Sequence, residues 1–397
     1  MPLSRRAVTV QASPIRRLSP FMLDAKKRGV RVLHLNIGQP DIETPKPYME
    51  AVKGFAEPVL AYGPSDGLAD LRQAIAGYFS RQGIGLGPQH VQITLGGSEA
   101  ILCAFCIAGD PGSEVVIPEP FYTNYNGFAS MAGFTVVPVT TRAEDGFALP
   151  PLAAFEKAIT KRTRAILVCS PNNPTGVIFT PRELDDLARL AVEHDLFLIG
   201  DEVYREFAYD GLKPKSLLEL KGVEDRVIVV DSISKRFSAC GARVGALVSR
   251  NPEVMASALK FAQARLCPPT LEQLGAVAAY HMDPSYFDPV RREYQRRRDT
   301  LYEGLRHHPG VVLKKPAGAF YMIVKLPLDD SDAFARWMLT DFQLEGDTVM
   351  VAPGDGFYAT PGLGRDEVRL AYVLEAPKLE RAAEVLLRGL DAFNARR

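Results

Sequence analysis

A chain of 397 residues is long enough for two domains, or for one large domain with a smaller partner. Hydrophobic residues at 47% and charged residues at 24% are the balance of an ordinary soluble globular enzyme. Lys and Arg number 47, as do Asp and Glu, and the resulting net charge of +0 argues against a nucleic-acid binder or a polybasic membrane anchor. No apolar run approaches membrane-spanning length. The stretch Met1 to Pro20 carries four arginines and no apolar core, so it is not a secretory signal and a cytoplasmic location is expected. Five cysteines show no regular spacing. Cys103 and Cys106 lie inside an apolar run, Ile101 to Ala108, with no second pair or nearby His to complete a zinc set, so buried core thiols and no metal are expected.

Residues 1–35 read as an arm and a first helix, with Ser19-Pro20 before Phe21-Met22-Leu23. A turn-rich loop, Asn36-Ile37-Gly38-Gln39-Pro40-Asp41, follows. The loop Ala61 to Gly67 holds an isolated Tyr62 and precedes a helix predicted over 67–82, with Leu68, Leu71, Ile75 and Phe79 on one face. Strand–helix alternation then sets in. Strands are predicted at Val91–Leu95, Glu114–Ile117, Phe134–Val139, Arg164–Cys169, Asp195–Gly200, from Val227, and at Ala242–Ser249. One helix is signposted by its start: Thr180 and Glu183 form a capping box and Pro181 fits the first helical position. The alternation implies a doubly wound α/β domain of about seven mostly parallel strands. Beyond residue 280 the pattern changes to a charged helix over 286–307, whose Arg291-Arg292 and Arg296-Arg297-Arg298 read as a solvated face, and to short strands at Ala319–Val324 and Glu367–Val373. That is the pattern of a smaller α+β domain.

The most informative stretch begins with four β-branched residues, Val227-Ile228-Val229-Val230, and runs through Asp231-Ser232-Ile233-Ser234 to Lys235. Such a run is a strand buried on both faces. A lysine just past its end can lose its proton and act as a nucleophile, although a plain surface lysine after a strand has the same sequence. In open parallel sheets, ligands bind outside the carboxyl ends of the strands. The residues at those ends are Gly97 and Ser98, Tyr122, Asn173, Asp201 with Tyr204, and Ser232 with Lys235, and Arg243 lies just beyond.

Each has a task if the ligand is an aromatic aldehyde phosphate. The Lys235 amine condenses with the aldehyde. Backbone N–H groups at Gly97-Ser98, the hydroxyls of Ser98 and Ser232 and the Arg243 guanidinium hold the phosphate. Asp201 keeps a pyridine nitrogen protonated. Tyr204 and Asn173 hydrogen-bond a ring oxygen, and Tyr122 stacks on the ring. Taken singly, Asp201 is equally a helix cap, Tyr122 a core residue and Asn173-Pro174-Thr175-Gly176 a β-turn.

Together these motifs resemble the class I/II aminotransferases, the fold-type-I pyridoxal-phosphate enzymes, and in particular those similar to aspartate aminotransferase. The resemblance spans roughly residues 30 to 390 and is carried by Tyr62-Gly63, Gly96-Gly97-Ser98-Glu99, Asn173-Pro174-Thr175-Gly176, Asp201-Glu202-Val203-Tyr204, Ser232 to Lys235 with Arg243, and Arg369 in Val368-Arg369-Leu370. It implies pyridoxal 5'-phosphate as cofactor, a Schiff base on Lys235 and transamination between an L-amino acid and a 2-oxo acid. It also implies that Arg369 grips the substrate α-carboxylate, that Gly38 lies near the same carboxylate, and that Tyr62 reaches the cofactor phosphate of a second subunit in a homodimer with shared sites. Tyr122 stands where many relatives have a tryptophan. The implied organisation is an N-terminal arm and part of the small domain over 1–45, a large cofactor-binding domain over 46–280, and a C-terminal small domain over 281–397.

The expected donor is acidic, aspartate or glutamate, with Arg265 as the candidate for the distal carboxylate. Two other reactions fit the same motifs: transamination of neutral or aromatic amino acids, and a pyridoxal-phosphate carbon–sulfur lyase. Ser232-Ile233-Ser234-Lys235 also matches the Ser-x-x-Lys pattern of penicillin-binding enzymes. However, no Lys-Thr-Gly follows, and that serine should open a helix rather than end a buried strand.

Overall fold

The four β-branched side chains Val227–Val230 sort to two faces of a sheet, as a period of two requires. Ile228 and Val230 join one apolar core, and Val227 and Val229 join another. All four are almost fully buried, and each contributes about 1.5–3 kcal/mol of burial. This strand lies near the middle of a computed structural model that describes residues 1–396.

In chain order the strands are β1 (Arg31–His34), β2 (Val91–Leu95), β3 (Glu114–Glu119), β4 (Thr135–Thr140), β5 (Thr163–Cys169), β6 (Phe197–Asp201), β7 (Val227–Ser232), β8 (Val244–Val248), β9 (Tyr321–Lys325), β10 (Asp347–Met350), β11 (Ala352–Pro353) and β12 (Glu367–Ala371). Seven of them form the main sheet in the order β2-β8-β7-β6-β5-β3-β4. The pairings from β7 through β6, β5 and β3 to β4 are parallel, and β8 runs antiparallel to both β7 and β2. One face carries the helix Gly96–Ala108, through Ala100, Ala104 and Phe105. The other carries Ala69–Arg81 and Pro181–Glu193, through Leu71, Ile75, Phe79, Leu184 and Leu187. The fold is therefore α/β and doubly wound, with a mostly parallel seven-stranded sheet. The capping box forms as the sequence signals: Glu183 N–H donates to Thr180 Oγ1 at 3.2 Å, and Thr180 N–H donates to Glu183 Oε2 at 2.6 Å.

Two smaller sheets complete the chain, β1 paired with β10 in parallel, and β11-β12-β9 antiparallel. Leu35 N–H donates to Met350 and Ala371 N–H donates to the carbonyl of Leu35. These bonds carry the loop that starts at Asn36 alongside β12.

Several expectations are corrected. Asp201 is the last residue of β6 rather than the first of the following loop, and β8 is shorter at both ends than Ala242–Ser249. The arginine-rich helix is Phe287–Leu305, and its arginines are not all solvated. Arg297 and Arg298 are buried with Tyr294 and Leu301 on the inward face. Each is paired, as burial of a charge requires. Arg297 bonds Asp41 at 2.5 Å and Glu293 at 2.7 Å, and Arg298 bonds Asp210 at 2.7 Å and the Pro316 carbonyl at 2.9 Å. Cys103 and Cys106 are only partly buried, packed on the edge of the core, and burial pushes the Cys103 thiol up to about 12. Among the described residues no helix is long and apolar enough to cross a membrane.

Candidate active site

The carboxyl ends of β5, β6 and β7 lie side by side because those strands are parallel. β2 runs in the same direction, and the antiparallel β8 brings its own start, with Arg243, to the same edge. A cavity of about 680 Å³ opens there. It is lined by Gly38, Gly97, Ser98, Tyr122, Asn173, Asp201, Tyr204, Ser232, Lys235, Arg243 and Arg369, so one site collects all the sequence-predicted residues except Tyr62 and Arg265.

One end is built for an anion. Gly96, Gly97 and Ser98 open a 13-residue helix, whose first N–H groups have no intrahelical partner. Gly96 has a φ of +71°, and a Cβ there would stand 2.5 Å from an Arg243 guanidinium nitrogen. A Cβ on Gly245 would stand 2.7 Å from Gly97 N, so this position too must be glycine for β8 to pass the helix start. Arg243 is itself left-handed, with a φ of 53°. Its guanidinium donates to the Cys240 carbonyl at 3.1 Å. Ser232 caps the short turn that carries the lysine: its hydroxyl accepts from Ser234 N–H at 3.1 Å and donates to the Val244 carbonyl at 2.9 Å.

The middle of the cavity is aromatic and polar. Asp201 is 4% exposed, and burial pushes its carboxyl up from 3.8 to about 6. Tyr125 Oη donates to Asp201 Oδ2 at 2.6 Å, which opposes that rise. Asn173 Nδ2 donates to Tyr204 Oη at 3.4 Å, and Tyr204 Oη lies 3.0 Å from Tyr321 Oη. Tyr122 packs edge-on to Tyr125, and burial pushes its phenol up to about 12. Lys235 Nζ donates to the Gly38 carbonyl at 3.0 Å and lies 3.9 Å from Cys240 Sγ. It bonds no carboxylate among the described residues, so the amine is held in place without a counter-ion.

Arg369 occupies the other end. It is 2% exposed and lies between the rings of Tyr321, at 4.6 Å, and Phe357, at 5.0 Å. It donates to the Asn36 carbonyl and, at 3.2 Å, to Asn173 Oδ1, while its Nε has no partner. Burial lowers its pKa. Among the described residues no carboxylate neutralises it. A buried cation with an unused donor, facing a cavity, is a place for a ligand carboxylate.

Tyr62 and Arg265 lie elsewhere. Tyr62 is 82% exposed and belongs to a separate recess with Leu60, Leu95, Pro268 and Thr270. The Arg265 guanidinium is committed within its own chain, to Glu99 at 3.1 Å, the Ile93 carbonyl at 3.1 Å and the Leu266 carbonyl at 2.9 Å. In this chain it does not reach the cavity. Sequence reasoning missed Tyr125, Tyr321, Asn36, Ser234 and Cys240, all of which line it. Tyr125 stands three positions beyond Tyr122, and Tyr321 on β9 lies opposite Ala371, two residues along β12 from Arg369. Either could have been found by extending the faces already identified.

The residues present fit pyridoxal phosphate. The helix start with Arg243 suits its phosphate, Asp201 its ring nitrogen, Tyr204 and Asn173 its ring oxygen, and Lys235 its aldehyde.

The family model for aminotransferase class I and II matches residues 30–386. An aspartate/prephenate aminotransferase of Thermus thermophilus is 33% identical, with 98% of each chain covered. The aromatic-amino-acid aminotransferase 2 of Thermococcus litoralis is 35% identical over 97% of each. The solved structure of Thermus thermophilus aspartate aminotransferase with maleate superposes with a TM-score of 0.88 at 31% identity, covering 98% of this chain and 100% of that one. The sheet order, the lysine beyond β7 and these matches together make the chain a member of the class I and II aminotransferases.

Proposed function

We propose that this aminotransferase binds pyridoxal 5'-phosphate in the cavity described and moves the amino group of aspartate to 2-oxoglutarate, or that of glutamate to oxaloacetate. When bound, the cofactor supplies an aldehyde that condenses with amines and a ring that accepts electron density. The chain's own residues do the rest. Lys235 Nζ, free of a counter-ion, is the group that takes the α-proton and returns it one position along. The Asp201 carboxylate holds a proton on the ring nitrogen, because a buried carboxylate with a raised pKa gains most from an adjacent cation. Arg369 orients the substrate through its α-carboxylate.

The observation that carries the reading is the juxtaposition, in one cavity, of a buried Arg369 and a Lys235 that each bond no carboxylate among the described residues. The acidic donor is supported by relatives named for aspartate. A second reading, an aromatic donor, is favoured by the apolar wall of Ile37, Ile101 and Phe128 and by the relative named for aromatic amino acids.

The proposed organisation has residues 46–280 as the large cofactor-binding domain, 281–397 as the C-terminal small domain, and 1–45 as an N-terminal arm and part of that small domain. The proposed working state is a homodimer. Val59, Leu60, Tyr62 and Leu266 are large, apolar or aromatic, and exposed, and a second copy is the surface that would cover them. In that dimer Tyr62 would reach the partner's phosphate. Mixing inactive Lys235→Ala protein with a Tyr62→Ala variant of impaired activity then raises the activity, because in the hybrid dimer the intact Lys235 and Arg369 of the Tyr62→Ala chain are completed by Tyr62 of the Lys235→Ala chain. No recovery after verified subunit exchange contradicts shared sites.

The test of the reaction is a panel of amino donors with 2-oxoglutarate and, for glutamate, oxaloacetate as acceptor. Aspartate and glutamate are expected to lead. Preferred turnover of phenylalanine or tyrosine establishes the second reading, and acceptor-independent release of ammonia and pyruvate establishes a lyase.

A further inference from the structure

Four cations line the cavity: Lys235, Arg243, Arg369 and Arg16. The first three have the tasks given above, and Arg16 has none. Its side chain is exposed and makes no hydrogen bond or ion pair among the described residues. Its neighbours fix the chain on either side of it. Pro14 is buried against Gly356, where a Cβ would have no room beside the proline ring. Ile15 packs on the cluster of Ala352, Phe357 and Tyr358. Arg17 bonds Asp332 and Asp355, each at 2.8 Å, and Leu18 is 1% exposed. The arm is thus clamped on both sides of one arginine that points at no partner.

Phe357 is the ring stacked on Arg369, and Ala352 is the residue paired with Arg369 across β11 and β12. The chain on the N-terminal side of Arg16 is therefore anchored on the same segment that packs against Arg369. A substrate held by its α-carboxylate at Arg369 would have Arg16 among the groups that line the same cavity. Arg265, the arginine first expected to meet the substrate side chain, is occupied by Glu99 and three carbonyls.

We propose that Arg16 is the specificity residue of the site and binds the side-chain carboxylate of a dicarboxylic donor. This rests on the acidic-donor reading above. An exposed guanidinium is a weak partner in water and a stronger one once a bound substrate excludes water from the arm.

The test compares wild-type holoenzyme with Arg16→Leu and Arg16→Lys. For aspartate, kcat/KM is expected to fall about 10- to 150-fold in Arg16→Leu, the range for losing one charge-assisted bond. Phenylalanine and alanine are expected to change less than about twofold, and Arg16→Lys to recover part of the loss. Calorimetric titration with succinate, an unreactive dicarboxylate, is expected to show weakening by a similar factor, with butyrate unaffected. An equal fall for both donor classes, or no change for either, overturns the assignment, as does unchanged succinate affinity. A wild-type enzyme with no activity on either acidic donor instead overturns the acidic-donor reading, and the proposal falls with it. Because Arg16 is exposed and unbonded, the variants do not put folding at risk.

Discussion

Changing Asp201 to Asn tests whether its carboxylate exists to serve a cation. Burial raises the Asp201 carboxyl from 3.8 to about 6, against the opposing hydrogen bond from Tyr125. A folded-state value above the unfolded one means that the group's contribution to stability is complete below about pH 3.8 and is lost as pH rises through about 6. At about 1.4 kcal/mol per pH unit the whole interval is worth about 3 kcal/mol, of which about 1.4 kcal/mol falls between about pH 5 and pH 7.5. The assay is denaturant unfolding of cofactor-free protein at those two values, for wild type and Asp201→Asn. Wild type is expected to lose about 1.4 kcal/mol more than the variant on going to the higher pH. With pyridoxal phosphate bound the excess loss should disappear, because a protonated ring nitrogen compensates the carboxylate. Equal pH slopes in the two cofactor-free proteins would refute the reasoning, since Asp201 would then not be the strained charge described.

The other predictions concern the lysine, the close approach at the anion end and a second buried carboxyl. Lys235→Ala is expected to lose nearly all turnover and to release its cofactor on denaturing filtration with no covalent label after borohydride; retained turnover would contradict its role. Gly245→Ala places a methyl 2.7 Å from both Gly96 O and Gly97 N, which are backbone atoms with nowhere to go. A loss of about 1–3 kcal/mol in unfolding experiments, with weaker cofactor binding, is expected. Glu367 is 6% exposed, and burial raises its carboxyl from 4.5 to about 7 despite the bond from Tyr358 Oη at 2.7 Å. That contribution is present below about pH 4.5 and lost as pH rises through about 7. Glu367→Gln should therefore raise Tm relative to wild type at about pH 8 and leave it nearly unchanged at about pH 5.

The part of this site that follows one rule was legible in the sequence. A buried strand announces itself by β-branched residues, and ligand-facing residues stand at strand ends, so Asp201, Ser232, Lys235 and Arg243 could be named from their spacing. Pairings between distant segments could not. Tyr125 meets Asp201 across 76 positions, and Arg298 meets Asp210 across 88, so neither the support of the first carboxylate nor the burial of the arginine run is visible locally. The same limit explains Arg265. Its spacing after a helix suggested a free cation, whereas Glu99, 166 positions away, lies within ion-pair distance. Arg16 escaped notice for the converse reason: nothing in the arm's sequence says that Pro14 and Leu18 anchor it beside β11. The helix over Pro181–Glu193 was the most legible element because its start is written in four consecutive residues, Thr180 to Glu183.

In this enzyme the amino group passes from donor to acceptor. The most direct measurement follows an isotopically labelled amino nitrogen from aspartate in the presence of 2-oxoglutarate. The label is expected in glutamate, in proportion to the oxaloacetate formed, and only when the acceptor is present. Label recovered as ammonia, or consumption of aspartate without acceptor beyond one equivalent per active site, would contradict it.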